Sequence, residues 1–298
     1  MSRTKNKMNF HSTCGVFNSF ARGGRCFYKS ILPEKEDEKN KLSILFLHDL
    51  TDYHKRYEDV GIELMQALNG SIDVHFLDFI GHGMSSGTRG HIESFDVLCR
   101  DVVSFVNQDM FQIGNRELVV FAHGLGGLVI LKVLEEYSAN LKKEISSIVL
   151  VNPFIKLQLE LPSFLDFLGD KNFLRLKRLK YKWPFHGFDL CGNPQFARDY
   201  DGDPLVLSQL SASFFKEVQA ASRSVRNSSY FIDSRTLFQI SNSSDIARQE
   251  TTKLFQKGMP KEKSRILEYS GAPHFIYHSS ERDNAIKDSY NWLKENLI

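Results

Sequence analysis

The sequence predicts an α/β fold, a mostly parallel doubly wound sheet with a helical cap insertion, and three features of the pattern carry that expectation. Continuous apolar runs at 43–47 (SILFL), 118–122 (LVVFA), 147–151 (SIVLV) and 236–240 (TLFQI) read as strands buried on both faces, as parallel strands are. Between them lie segments of helical period. Tyr57, Val60, Leu64 and Leu68 share one face, as do Leu98, Val102 and Phe105, and later Ile286, Tyr290, Leu293 and Leu297. Strands that alternate with helices of this length imply a parallel sheet with helices on both sides. The alternation breaks between 153 and 234, so a core is expected over 1–152 and 235–298, with 153–234 as a cap or lid insertion.

Weaker strand candidates fill in the order: 15–20, 25–29, 72–77 and 265–269. The polar run at 34–40 (EKEDEKN) reads as a solvated hairpin turn. A net charge of +2 on 298 residues gives no global field of the kind that draws nucleic acid. No run reaches the roughly 18 apolar residues of a membrane-spanning helix. The N-terminal basic residues lack the apolar stretch of a signal peptide. Cys14, Cys26, Cys99 and Cys191 form no C-x-x-C pair, which argues against a metal or redox site and fits reduced thiols in a cytoplasmic location. Neither a cofactor nor a metal is expected.

The string GHGMSSGTRGHIESF at 81–95 follows a candidate strand and opens with a glycine-rich turn. It closely resembles the corresponding loop of monoacylglycerol lipases and lysophospholipases of the α/β-hydrolase family. His48 followed by Arg56 and Tyr57, and DPLV at 203–206, resemble the same family, and the likeness runs from about Gly15 to Leu297. That resemblance implies an α/β-hydrolase fold, a G-x-S-x-G nucleophile elbow between a strand and a helix, and a small acyl or lipid ligand.

The elbow context is present at 122–127 (AHGLGG), but Gly124 stands where the family carries its serine, and no serine, threonine or cysteine lies in that loop. Glycine tolerates the strained turn that costs a side-chain-bearing residue about 1–3 kcal/mol. The resemblance places the family's histidine at His274. It places the acid at Ser243, with Asp245 as a displaced acid or, as the favoured alternative, the N-cap of the next helix. The oxyanion-hole amides would be those of Leu50 and Leu125. The family's glycine after His48 is Asp49 here, and a carboxylate about 4 Å from a developing oxyanion opposes it by ~1–4 kcal/mol. Together with Ala122, these departures predict a pseudo-hydrolase that binds a ligand or a protein partner. The alternative is an ester hydrolase with a non-standard site built on His274, and a carboxylate bonded to that histidine would weigh for it.

The segment 171–185 (KNFLRLKRLKYKWPF) alternates basic and apolar residues. As a cap helix it would pack its apolar side inward. Alternatively, Lys171, Arg175, Lys177, Arg178, Lys180 and Lys182 would meet an anionic membrane surface.

Overall fold

A computed structural model describes residues 10–34, 42–70, 72–112, 116–158 and 177–297. All but the first residue of the turn expected at 34–40, and residues 171–176 of the basic segment, lie outside them. Eight strands form one sheet: β1 (Phe10–Asn18), β2 (Arg25–Pro33), β3 (Leu42–Leu47), β4 (Ile72–Leu77), β5 (Glu117–His123), β6 (Ile145–Val151), β9 (Arg235–Ser241) and β10 (Ser264–Tyr269). Their spatial order is β1-β2-β4-β3-β5-β6-β9-β10. The β1–β2 and β2–β4 pairs are antiparallel and the other pairs are parallel.

Alternation along the central strands sends side chains into two cores. Leu45, Leu47, Val120, Leu150 and Ile240 pack on one side of the sheet against α2 (Phe95–Val106) and α3 (Leu125–Glu136). Ile44, Phe46, Val119, Phe121 and Val149 pack on the other against α1 (Glu58–Ala67) and α7 (Arg282–Asn296). With apolar residues on both faces, each central strand reads as an unbroken hydrophobic run. Ser94 caps α2, its side chain accepting the Asp96 N–H at 3.2 Å. At the start of α3 the helix touches β3 so closely that a Cβ on Gly126 would lie 2.4 Å from the Leu47 carbonyl oxygen. Only glycine fits there.

The described residues between β6 and β9 leave the sheet. They carry α4 (Pro194–Gly202), α5 (Ala212–Val225) and a small antiparallel pair, β7 (Lys180–Lys182) with β8 (Gln209–Ser211). Two expectations change here. The strand expected at 15–20 runs instead over Phe10–Asn18, as half of an edge hairpin most of whose residues are exposed. The described part of the basic segment is a turn and a strand rather than a helix, with Trp183 buried beneath it.

Candidate functional site

The site lies at the C-terminal ends of β3, β5, β6 and β9, where open parallel sheets place their ligands. Gly124 links β5 to α3 with φ +47° and ψ −105°, a region that favours glycine. Three backbone bonds hold this turn: Gly124 N–H to Val151 O at 2.9 Å, Gly126 N–H to His48 O at 3.1 Å, and Phe154 N–H to Gly124 O at 3.1 Å.

Asp49 arrives from the loop after β3 and fills the space above Gly124. A Cβ built on Gly124 would lie 1.7 Å from Asp49 Oδ1. That oxygen accepts the Leu125 N–H at 3.0 Å, while Oδ2 lies 3.1 Å from His274 Nε2. Burial alone would raise the Asp49 pKa, but His274 and His123 beside it, with the Leu50 N–H, hold it well below the usual carboxylate range. Of the two amides expected to form an oxyanion hole, that of Leu125 thus bonds the chain's own carboxylate. Asp49 and His274 are each only 1% exposed.

His48 fixes the turn that delivers Asp49. Its Nδ1–H donates to the Asp49 carbonyl at 2.7 Å, and its Nε2 accepts the Phe79 N–H at 3.0 Å. This tautomer is neutral, and burial together with neighbouring His82 lowers the His48 pKa to about 3. A second chain of bonds runs behind the site. The Asp49 N–H donates to the Tyr57 hydroxyl at 3.2 Å, Tyr57 donates to His123 Nδ1 at 2.9 Å, and His123 Nε2–H donates to the His274 carbonyl at 3.2 Å. Asn152 donates to the same carbonyl at 2.7 Å, and its Oδ1 accepts from Ser241 N and Gln249 Nε2, both at 2.8 Å. The His274 loop is therefore tied to β6, β9 and α6 (Gln249–Lys257).

The other ring nitrogen of His274, Nδ1, faces Ser244 Oγ at 2.8 Å. This corrects the position assigned to Ser243, which is exposed one residue away. Asp245 is also exposed and makes no hydrogen bond among the described residues. It does not cap α6 either, since the N-cap position there is Arg248. The carboxylate that reaches His274 is thus Asp49, on the nitrogen opposite to the one an acid partner would bind. Sequence reasoning treated Asp49 only as an electrostatic obstacle and missed Ser244.

Asp49, His123 and His274 each bring a donor atom within 4.8 Å of the others. The set does not fit a metal. Tyr57 and the His274 carbonyl occupy both nitrogens of His123, and the His123 and His274 rings stack 4.7 Å apart at 30°, which sets their lone pairs side by side rather than convergent. Asp52 is buried nearby with its pKa pushed to about 8, chiefly by burial, so it is mostly protonated at neutral pH. A surface cleft of about 740 Å³ is lined by Tyr53, Arg56, Phe196, Pro204, Leu205 and His278, among others. Asp49, Gly124 and His274 are not in its wall.

The fold and the turn at Gly124 define an α/β-hydrolase. The chain belongs to the serine aminopeptidase S33 family, whose match runs over residues 38–281. It is 22% identical to phospholipase YtpA of Bacillus subtilis over 246 residues, covering 82% of this chain and 92% of that protein. It is 26% identical to human monoglyceride lipase over 167 residues, about half of each chain (56% and 52%). The fold resembles a soluble variant of monoglyceride lipase from Saccharomyces cerevisiae, with a TM-score of 0.78, 17% identity and 95% of each chain covered. It also resembles a monoacylglycerol lipase from Paleococcus ferrophilus, with a TM-score of 0.74, 20% identity, and 97% of this chain and 100% of that one covered. The protein is accordingly a member of the S33 family with the α/β-hydrolase fold. Among the described residues no helix is long and apolar enough to cross a membrane.

Proposed function

We propose that this chain is a pseudo-hydrolase: it keeps the fold of its lipase relatives, has lost serine catalysis at the elbow, and works by binding an acyl or lipid-like ligand. One observation carries the reading. The Asp49 carboxylate sits where a nucleophile's side chain would begin and accepts the Leu125 amide that would otherwise hold an oxyanion. At the elbow a substrate carbonyl has no hydroxyl to attack it, and the Leu125 amide that would stabilise its charge is already taken. His274 offers no general base at this face, because its Nε2 hydrogen points at a carboxylate that can only accept. The cleft beside Tyr53 and Phe196 offers a partly apolar volume suited to a ligand.

The test is turnover of a monoacylglycerol and a short aryl ester by the purified chain. The expected rate is that of buffer. Robust turnover abolished by His274→Ala would replace this reading with that of an ester hydrolase working through His274.

A surface feature favours a lipid surface as the ligand's source. Arg178, Lys180 and Lys182 are exposed around Leu179, which is 46% exposed, with Phe188 60% exposed farther along; Lys171 and Arg175 lie outside the described residues and Lys177 is half-buried. Cations beside protruding apolar groups suit an anionic bilayer. Co-sedimentation with vesicles is expected to rise with phosphatidylserine content and to fall in Lys180→Glu/Lys182→Glu; binding indifferent to anionic lipid would remove this part of the reading.

A further inference from the structure

The hydrogen bonds around His274 have a direction that follows from their chemistry. An ionised Asp49 can only accept, so the proton between it and His274 belongs to Nε2. In the neutral imidazole the lone pair is then on Nδ1, and Ser244 must donate its O–H to it across 2.8 Å. The result is a hydroxyl donating to an imidazole whose far side donates to a buried carboxylate. A Ser-His-Asp triad is defined by these roles and not by chain order.

We propose that Ser244 is an acyl acceptor, the nucleophile of a transposed Ser244–His274–Asp49 triad. In it the hydroxyl occupies the loop after β9 and the carboxylate the loop after β3. The proposal goes beyond the reading above, which concerns the elbow at Gly124. The donor is an activated acyl compound, a thioester or aryl ester. Ser244 Oγ attacks its carbonyl carbon while the hydroxyl proton passes to His274 Nδ1, and Asp49 faces the resulting cation at Nε2. The N–H groups of Ala247 and Ile246 donate to Oγ itself from 3.2 and 3.4 Å, which fixes the hydroxyl with its hydrogen turned toward His274. Collapse breaks the bond to the thiolate or phenolate, which leaves with the proton from Nδ1. The product is the acyl ester of Ser244, and no other reactant is consumed.

The surroundings set the rate. Ser244 is 5% exposed, but Ser243 and Asp245 on either side are at the surface. Its cover is the chain just after β6, where Leu157 bridges to Ala247 and Gln158 N–H donates to Ile246 O at 2.7 Å. Acylation is then slow, and so is hydrolysis of the product, because water reaches the ester no more easily than the donor does. The reaction is stoichiometric rather than a turnover.

The experiment is labelling of the full chain with an alkyl fluorophosphonate, read by intact mass and peptide mapping, with folding checked by circular dichroism. One adduct is expected, on Ser244. It should be absent in Ser244→Ala, retained in Ser243→Ala, and formed ~100-fold or more slowly in His274→Ala and in Asp49→Asn. No adduct on Ser244, or one whose rate is unchanged in His274→Ala, overturns the proposal and leaves the pseudo-hydrolase reading standing. Sustained monoacylglycerol turnover lost in Ser244→Ala would do the reverse, supporting the triad and ending the pseudo-hydrolase reading.

Discussion

Gly124→Ser alone is expected to leave ester turnover at the buffer rate and to lower thermal stability, whereas Gly124→Ser with Asp49→Gly is expected to hydrolyse an aryl ester measurably. The single variant fails because its new Cβ would meet Asp49 Oδ1 at 1.7 Å, which expels the carboxylate from its bonds to Leu125 and His274. A serine at φ +47° adds strain of about 1–3 kcal/mol. Removing Asp49 as well clears the space, frees the Leu125 amide, and releases His274 Nε2 to act as a base toward the new hydroxyl. The gain is partial, since His274 then faces Ser244 rather than a carboxylate. Adding Ser244→Asp should raise the rate further, by ~10²–10⁴-fold, the scale on which a triad carboxylate matters. If Gly124→Ser alone matched the double variant, Asp49 could not be what blocks the site.

Acid is expected to unfold this protein early. His48, His75 and His123 have their pKa values lowered to about 3 and His278 to about 4, and His82 is lowered too, chiefly by burial in each case. The sign follows from proton counting. Between pH 6.5 and these lowered values the unfolded chain binds protons that the folded chain refuses, so stability is full above pH 6.5 and falls as pH drops. Each histidine contributes at most ~1.4 kcal/mol per pH unit in that window. The four with values of about 3 to 4 should together remove about 5 kcal/mol between pH 7.5 and 5.5, and His82 adds to the loss. Urea midpoints measured across that range would show the decline. A midpoint that stays flat down to pH 5 would mean that these side chains take up protons without cost. The Asp49 carboxylate adds its own loss only below pH 4, because its pKa is depressed from 3.8.

The core strands were legible because burial on both faces writes an unbroken apolar run. The runs at 43–47, 118–122, 147–151 and 236–240 fall inside β3, β5, β6 and β9. The hairpin strand β1 was misplaced because most of its residues are exposed and leave little pattern. Gly124 could be located from the strand, small-residue and helix context alone. The partners of His274 could not. Asp49 lies 225 positions away in sequence, and its contact depends on the turn that His48 clamps. The choice between Ser243 and Ser244 depends on how the chain turns after β9, where Ser241 Oγ accepts the Ser243 N–H at 3.1 Å and leaves Ser243 facing out. One-residue registers of this kind are set by backbone bonds that no side-chain periodicity records.

The 1.7 Å separation between a Cβ at position 124 and the Asp49 carboxylate also bears on the history available to this site. A hydroxyl on the elbow and a carboxylate in the hole exclude one another, so each residue protects the other against replacement. Restoring the serine meets the carboxylate, and removing the carboxylate while glycine remains leaves the buried Leu125 amide and a histidine short of a partner, at a cost of about 1–3 kcal/mol for each unsatisfied group. Each single step toward an elbow serine therefore costs stability before the second can repay the first. The pair works as a ratchet that holds glycine at position 124 for as long as position 49 is a carboxylate.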